Sequence, residues 1–250
     1  MEKVIEVLNR MQADGVFEKF AIGGGIAAIY YLEPYQTDDI DVFFLPVFFG
    51  DSGLVSLEPI YSYLEKLGYH SVEEGVGVLI EDWPVQFIPV AESVQEEAVM
   101  NARRVTFGDN RTPVFTAEHL AAELLRSGRL KDLVRVIDLT KSDQFDAALF
   151  RDVVQRHGSS AKWKEFCRTF RSGGMMSRDT LDFSKMTIDD LFRAKEERRR
   201  RLARLPFEQK IEIVKRLQSV ARIIKPIREA RRNMPSESEE TPDRTTGSLN

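Results

Sequence analysis

Lys19-Phe20-Ala21-Ile22-Gly23-Gly24-Gly25-Ile26-Ala27-Ala28-Ile29, followed by Thr37-Asp38-Asp39-Ile40-Asp41-Val42-Phe43-Phe44-Leu45, decides the fold. Residues 19–22 read as a short buried strand. The glycines break it, and Ile26 to Leu32 reads as a helix. Ile40 to Leu45 is a second strand. A strand entering a glycine turn that opens a helix lets the backbone approach a phosphate closely. The helix N-terminus supplies free N–H donors and the positive end of the dipole. Triple glycines also occur in plain turns, so this half of the pattern has little meaning alone.

The second half gives it meaning. Asp39 and Asp41 are one residue apart, and period-2 geometry puts both carboxylates on one face while Ile40 and Val42 turn to the core. Two adjacent carboxylates repel each other, and each is costly to desolvate without a partner. A divalent cation relieves both problems. Hard oxygen ligands favour Mg2+ or Mn2+, and Mg2+ also binds substrate phosphates. The bland alternatives are a tight turn for the glycines and a solvated edge-strand pair for the aspartates. Asp38 reads as a turn or cap residue.

Outward from this centre, Val4, Ile5, Leu8 and Met11 share one face of a helix over residues 2–13. Residues 57–67 form a helix that stops at Gly68. Val76 to Ile80 and Val85 to Val90 read as strands around an Asp82-Trp83-Pro84 turn. A short helix covers 93–101. Arg103–Phe107 and Thr112–Phe115 then pair as a hairpin around Gly108-Asp109-Asn110. Helices follow from Thr116 to Arg126, from Gly128 to Lys141, over 145–157 and over 160–170. Ser172-Gly173-Gly174 marks a boundary. Helices over 187–204 and 207–231 flank Pro206. Apolar residues of the second (Phe207, Ile211, Val214, Leu217, Val220, Ala221, Ile224) match a stripe on the first (Leu191, Phe192, Ala194, Leu202, Leu205), as a helical hairpin would.

The chain has 250 residues, 42% hydrophobic and 30% charged, which fits a globular protein and excludes wholesale disorder. The single cysteine, Cys167, excludes an internal disulfide and a cysteine-based zinc cluster. His70, His119 and His157 lack metal-ligand spacing and read as surface or core residues. Trp83 and Trp163 read as packing residues. No apolar run is long enough to span a bilayer, and the charged N-terminus does not read as a secretory signal, so no membrane role and a cytoplasmic location are expected. The net charge of -4 hides a division. Residues 187–232 hold 15 Lys/Arg against 7 Asp/Glu, the tail 233–250 is acidic and polar, and residues 1–186 are strongly acidic. The basic run Lys195 to Arg201 is either a solvated helix face or a contact for RNA or a partner protein.

A glycine pair after a strand, a spacer, then Asp-apolar-Asp on the next strand resembles the signature of the DNA polymerase β-like nucleotidyltransferase superfamily. Thirteen residues separate Gly25 from Asp39, at the long end for that family. Thr37-Asp38-Asp39-Ile40-Asp41 is similar to its small bacterial toxin-type branch. Pro84-Val85-Gln86-Phe87-Ile88-Pro89-Val90 resembles that branch's third core strand, and Gly128-Arg129-Leu130-Lys131-Asp132-Leu133 its following helix. The segment from Met186 to Leu217 looks like a short helical protein often encoded beside such enzymes.

The resemblance implies an α+β fold: a mixed β-sheet flanked by helices, followed by a helical C-terminal region. It implies a nucleotidyltransferase-like domain over 1–142; glycines, periodicity and composition mark off a helical extension over 143–172, a linker over 173–186, a basic helical hairpin over 187–232 and a disordered tail over 233–250. An NTP would be held by Gly24 and Gly25, with Thr37 and Gln86 as further nucleotide contacts. Asp39 and Asp41 would ligate Mg2+ or Mn2+, and Lys131 would contact phosphate. The acceptor would be a hydroxyl of RNA or protein, in a toxin–antitoxin setting where the basic arm docks on the front domain or on a partner. Gln86 departs from the family, since many members carry a third acid there. A neutral amide ligates metal weakly and takes no proton. Lys131 and Asp132 either compensate or form an ordinary solvated helix pair. Without compensation the domain would bind nucleotide and catalyse poorly.

Overall fold

The computed structural model describes residues 1–47, 55–70, 77–172 and 188–232. The expected linker and tail lie outside these residues, as does Val76. The fold is α+β, and its described strands form one mixed sheet of six. They are β1 (Lys19–Ile22), β2 (Ile40–Leu45), β3 (Val78–Ile80), β4 (Trp83–Pro89), β5 (Arg103–Phe107) and β6 (Asn110–Val114), in the order β3-β4-β2-β1-β6-β5. The two edges are antiparallel hairpins, β3–β4 and β5–β6. Between them β1 runs antiparallel to β2, while β2 is parallel to β4 and β1 to β6. The central strands are the most apolar, with Phe20, Ala21, Ile22, Ile40, Val42, Phe43 and Phe44 buried. A strand covered on both faces needs such a run.

Helices cover the sheet. α1 (Glu2–Ala13) buries Val4, Ile5, Val7, Leu8 and Met11. α2 (Gly24–Tyr31) is buried almost all round, as its run of Ile and Ala requires. α3 (Glu58–Lys66) buries Ile60 and Leu64. α4 (Ser93–Met100) opens with a capping box between Glu92 and Gln95. α5 (Ala117–Ser127) is capped by the Thr116 hydroxyl and ended by Gly128 in the left-handed conformation. α6 (Leu130–Thr140), α7 (Ala147–Arg156) and α8 (Ser160–Ser172) follow. Trp163 packs against Phe150 and Phe166. Cys167 is half-buried rather than enclosed.

Three local expectations shift. Gly24 and Gly25 belong to the first turn of α2 instead of preceding it. Trp83 and Pro84 lie in β4, because Trp83 is buried there and the turn needs only Glu81 and Asp82. Asp39 stands just before β2, and Asp41 lies within it.

The two last helices, α9 (Ile188–Ala203) and α10 (Phe207–Arg232), lie against the sheet domain. The Phe207 ring sits edge-on between Tyr30 of α2 and Phe107 of β5, at 5.4 Å from each. Ile211 and Val214 are buried with it. Those members of the expected hairpin stripe therefore face the core. Leu217 and Val220 remain exposed, and the side chains of Leu191, Phe192, Ala194 and Ile224 lie outside the described residues. Among the described residues no helix is long and apolar enough to cross a membrane.

Candidate active site

The turn and the carboxylate strand are pressed together. Gly24 has φ +52°, and a Cβ built on it would lie 1.6 Å from Asp41 Oδ2. A Cβ on Gly25 would lie 2.3 Å from Thr37 Oγ1. Both positions require the absence of a side chain, and Gly24 also needs the left-handed region. The backbone closes the same gap: Gly23 N–H donates to the Asp41 carbonyl at 2.9 Å, and the Gly25 N–H favours the charged form of the Asp41 carboxyl. Asp41 thus sits at the N-terminal mouth of α2, where the free N–H groups and the helix dipole favour negative charge.

Even so, the Asp41 carboxyl is pushed up to about 6. Burial is the main cause and the neighbouring Asp39 charge the second. The Arg129 guanidinium, the Gly25 N–H and Arg135 pull the other way. Asp39 and Asp41 are both half-buried. Across the parallel ladder Asp41 pairs with Gln86, which is exposed. The β4 register therefore places the neutral amide beside the carboxylate pair.

α6 supplies the charged surroundings. Asp132 is fully buried and accepts hydrogen bonds from Ser127 Oγ (2.6 Å), Arg129 Nε (2.7 Å) and Arg135 Nη1 (3.3 Å). It is a structural anchor for two arginines, not a solvated partner of Lys131. The Arg135 guanidinium also lies 4.4 Å from the centre of the Tyr35 ring. The Tyr35 hydroxyl donates to the Gly25 carbonyl at 3.1 Å, and burial raises its phenol above the usual range. Lys131 is exposed and lines a cleft of about 590 Å³ between α6, the end of α2 and α9. The cations whose charge acts on Asp41 are Arg129 and Arg135.

The sheet and α2 thus bring together Gly24, Gly25, Thr37, Asp39, Asp41 and Gln86 from the sequence-derived set, and leave Lys131 at the neighbouring cleft. Arg129, Asp132 and Arg135 share a signal that sequence reading passed over: charges at i, i+3 and i+6 lie on one helix face. Asp38 is exposed, with Gln36 Nε2 3.5 Å from its carboxylate, as a turn residue would be. The donor set at the carboxylates is oxygen only. Among the described residues no group of three or more His, Cys, Asp or Glu converges on a point. Two carboxylates at an open mouth do fit a hard cation whose remaining ligands come from phosphate and water.

No family model matches the chain, and no curated protein matches it. Among the solved structures similar to it are the following three. The solution structure of the antibiotic-resistance factor ANT(2'')-Ia shares 16% identity over 68% of this chain and 90% of that one, with a TM-score of 0.37. The crystal structure of an antigenic nucleotidyltransferase-like protein from Paracoccidioides brasiliensis shares 15% identity over 64% and 90%, with a TM-score of 0.38. The crystal structure of ANT(2'')-Ia in complex with adenylyl-2''-tobramycin shares 16% over 67% and 97%, with a TM-score of 0.35. Nucleotidyltransferases therefore stand among the structures similar to this chain.

Proposed function

We propose that the protein is a metal-dependent nucleotidyltransferase that moves an NMP group from an NTP to an acceptor hydroxyl of RNA or protein. The observation that carries this reading is the contact between Gly24 and Asp41, which joins an anion-accepting helix N-terminus to a carboxylate pair. Asp39 and Asp41 would hold Mg2+ or Mn2+, which when bound would neutralise charge on the triphosphate. The N–H groups at the mouth of α2 orient the phosphates, assisted by Thr37 and Gln86. Arg129 and Arg135, fixed by Asp132, add positive charge beside them, and Lys131 meets whatever enters from the cleft. The acceptor oxygen forms a bond to the α-phosphorus as the bond to the β-phosphate breaks. Pyrophosphate leaves, and the hydroxyl proton passes to water at the open face.

The test is incubation with Mg2+ and each α-phosphate-labelled NTP, together with bacterial RNA and cell extract. Wild-type protein is expected to transfer label, and Asp39→Ala/Asp41→Ala is not. Equal labelling by both would remove the metal-dependent reading. The toxin-like wording of residues 37–41 motivates a toxin–antitoxin setting. Growth arrest on expression, relieved in the double variant, is the expected sign.

The position of Gln86 opposite Asp41 supports a second reading, a nucleotide-binding or regulatory module that has lost turnover. Calorimetry with ATP, CTP, GTP and UTP plus Mg2+ separates the two, since binding without transfer favours the second.

A further inference from the structure

We propose that Gln218, on α10, is a positioning residue for the active site, and that the C-terminal helices complete the site. This inference rests on the transfer reading given above. The segment between α2 and β2 carries Thr37 and leads into Asp39. Its residues 33–38 belong to no helix or strand and make no backbone–backbone hydrogen bond with another described residue. Such a segment keeps its shape only through side chains.

Side-chain contacts hold it and its entry from α2, among them four hydrogen bonds. Tyr35 hydroxyl reaches the Gly25 carbonyl. Arg199 of α9 pairs with Glu33 at 2.7 Å and with Asp138 of α6 at 2.6 Å. Lys210 of α10, 1% exposed, donates to the Tyr30 carbonyl at 2.8 Å. Gln218 Nε2 donates to the Thr37 carbonyl at 2.6 Å, in a buried contact between residues 181 positions apart. Three of the four come from the C-terminal helices.

The Gln218 contact lies nearest the chemistry. Thr37 is clamped between the Gln218 amide and Gly25, whose missing Cβ its side chain occupies. The same glycine turn also meets Asp41, through the Gly23 N–H at 2.9 Å from its carbonyl and through Gly24 pressed on its carboxylate. A continuous path of contacts therefore runs from Gln218 through Thr37 and the glycine turn to Asp41. Displacement of reacting groups by about 1 Å can cost on the order of a hundredfold in rate, so a clasp of this kind acts on turnover more than on affinity. The arm supports the site from behind, and its loss lowers activity. A purely inhibitory arm would behave in the opposite way.

The test uses the full chain. Gln218→Met keeps the volume and removes the donor, and Gln218→Glu replaces the amide by a group that cannot donate when ionised. Both are expected to lower kcat about tenfold or more, with the KM for NTP changed less than about threefold and the melt lowered only as the loss of one buried hydrogen bond requires. Hydrogen exchange is expected to quicken at the Gly23 amide, which donates to the Asp41 carbonyl, and at the first amides of β2 in Gln218→Met, and to stay unchanged in α4 and α5. Unchanged exchange at Gly23 and the start of β2 overturns the inference, whatever the enzyme does. Quickened exchange with wild-type kcat also overturns it. If wild-type protein transfers no label, the transfer reading falls first. Quickened exchange in the variant then marks Gln218 as a loop clasp only, and its positioning role falls with it.

Discussion

At the residue scale, Asp41 and Gly24 share one small volume. The Asp41 carboxyl ionises near 6 in the fold against an ordinary value near 3.8. Its sign follows from linkage: a carboxyl raised by burial contributes stability below its unfolded value, and this is lost as pH rises from about 4 to 6. In EDTA at neutral pH, Asp41→Asn is therefore expected to melt higher than wild type, by on the order of 1–3 kcal/mol, while transfer is abolished. A melt that moves downward would contradict this. Gly24→Ala is expected to act the other way on stability. Its methyl group would fall on the Asp41 carboxylate at a φ that alanine resists, costing at least about 1 kcal/mol and most of the transfer activity. Thermal melts paired with the labelling assay check both. Much of this constellation was legible, because period 2 fixes which residues share a face. The contact distance was not, since it depends on Gly24 lying inside the helix turn.

At the element scale, the sheet domain is tied together by a cluster that the histidine spacing gave no hint of. Glu97 of α4 accepts from His119 of α5 at 3.1 Å and from His157, at the end of α7, at 2.6 Å, with Arg156 beside it. Burial alone would raise the Glu97 carboxyl, but Arg156 and the two imidazoles outweigh it and hold it at about 2. Its stabilising effect is fully present above about 4.5 and is lost as pH falls toward 2. Glu97→Ala is expected to cost about 1–3 kcal/mol at pH 7 and almost nothing at pH 2, read as the difference in denaturant midpoints. Strands β1 and β2 were readable to the residue, because buried central strands are uninterrupted apolar runs. β4 was misread at its start, because Trp83-Pro84 has the composition of a turn. The meeting of His119 with His157 was out of reach, since helix packing brings together residues that no local period links.

At the scale of the whole molecule, the basic arm was legible as helix and as charge, and its docking on the front domain was among the expectations, but the residues that dock it were not legible. Lys210 looks in sequence like one more solvated cation. In the fold it is buried against a carbonyl, and desolvation lowers its ammonium to about 8. A lysine depressed in this way disfavours the docked state at low pH. Docking therefore tightens as pH rises from about 8 toward 10. Limited proteolysis within α10 is expected to slow over that range in wild type and to show no such dependence in Lys210→Met, which removes the titrating group and fills the same space. Equal pH dependence in both proteins would contradict the assignment.

The clasp between Gln218 and Thr37 also sets a schedule. A ribosome adds roughly 5–20 residues per second, so the residue that secures the Thr37 segment emerges roughly 10–35 s after Asp41 has been made. Through that interval the glycine turn and both aspartates are already synthesised, yet the loop between them is unsecured. On the proposed reading, a protein arranged in this way is born idle and begins work only when its last described helix has closed over the Thr37 segment.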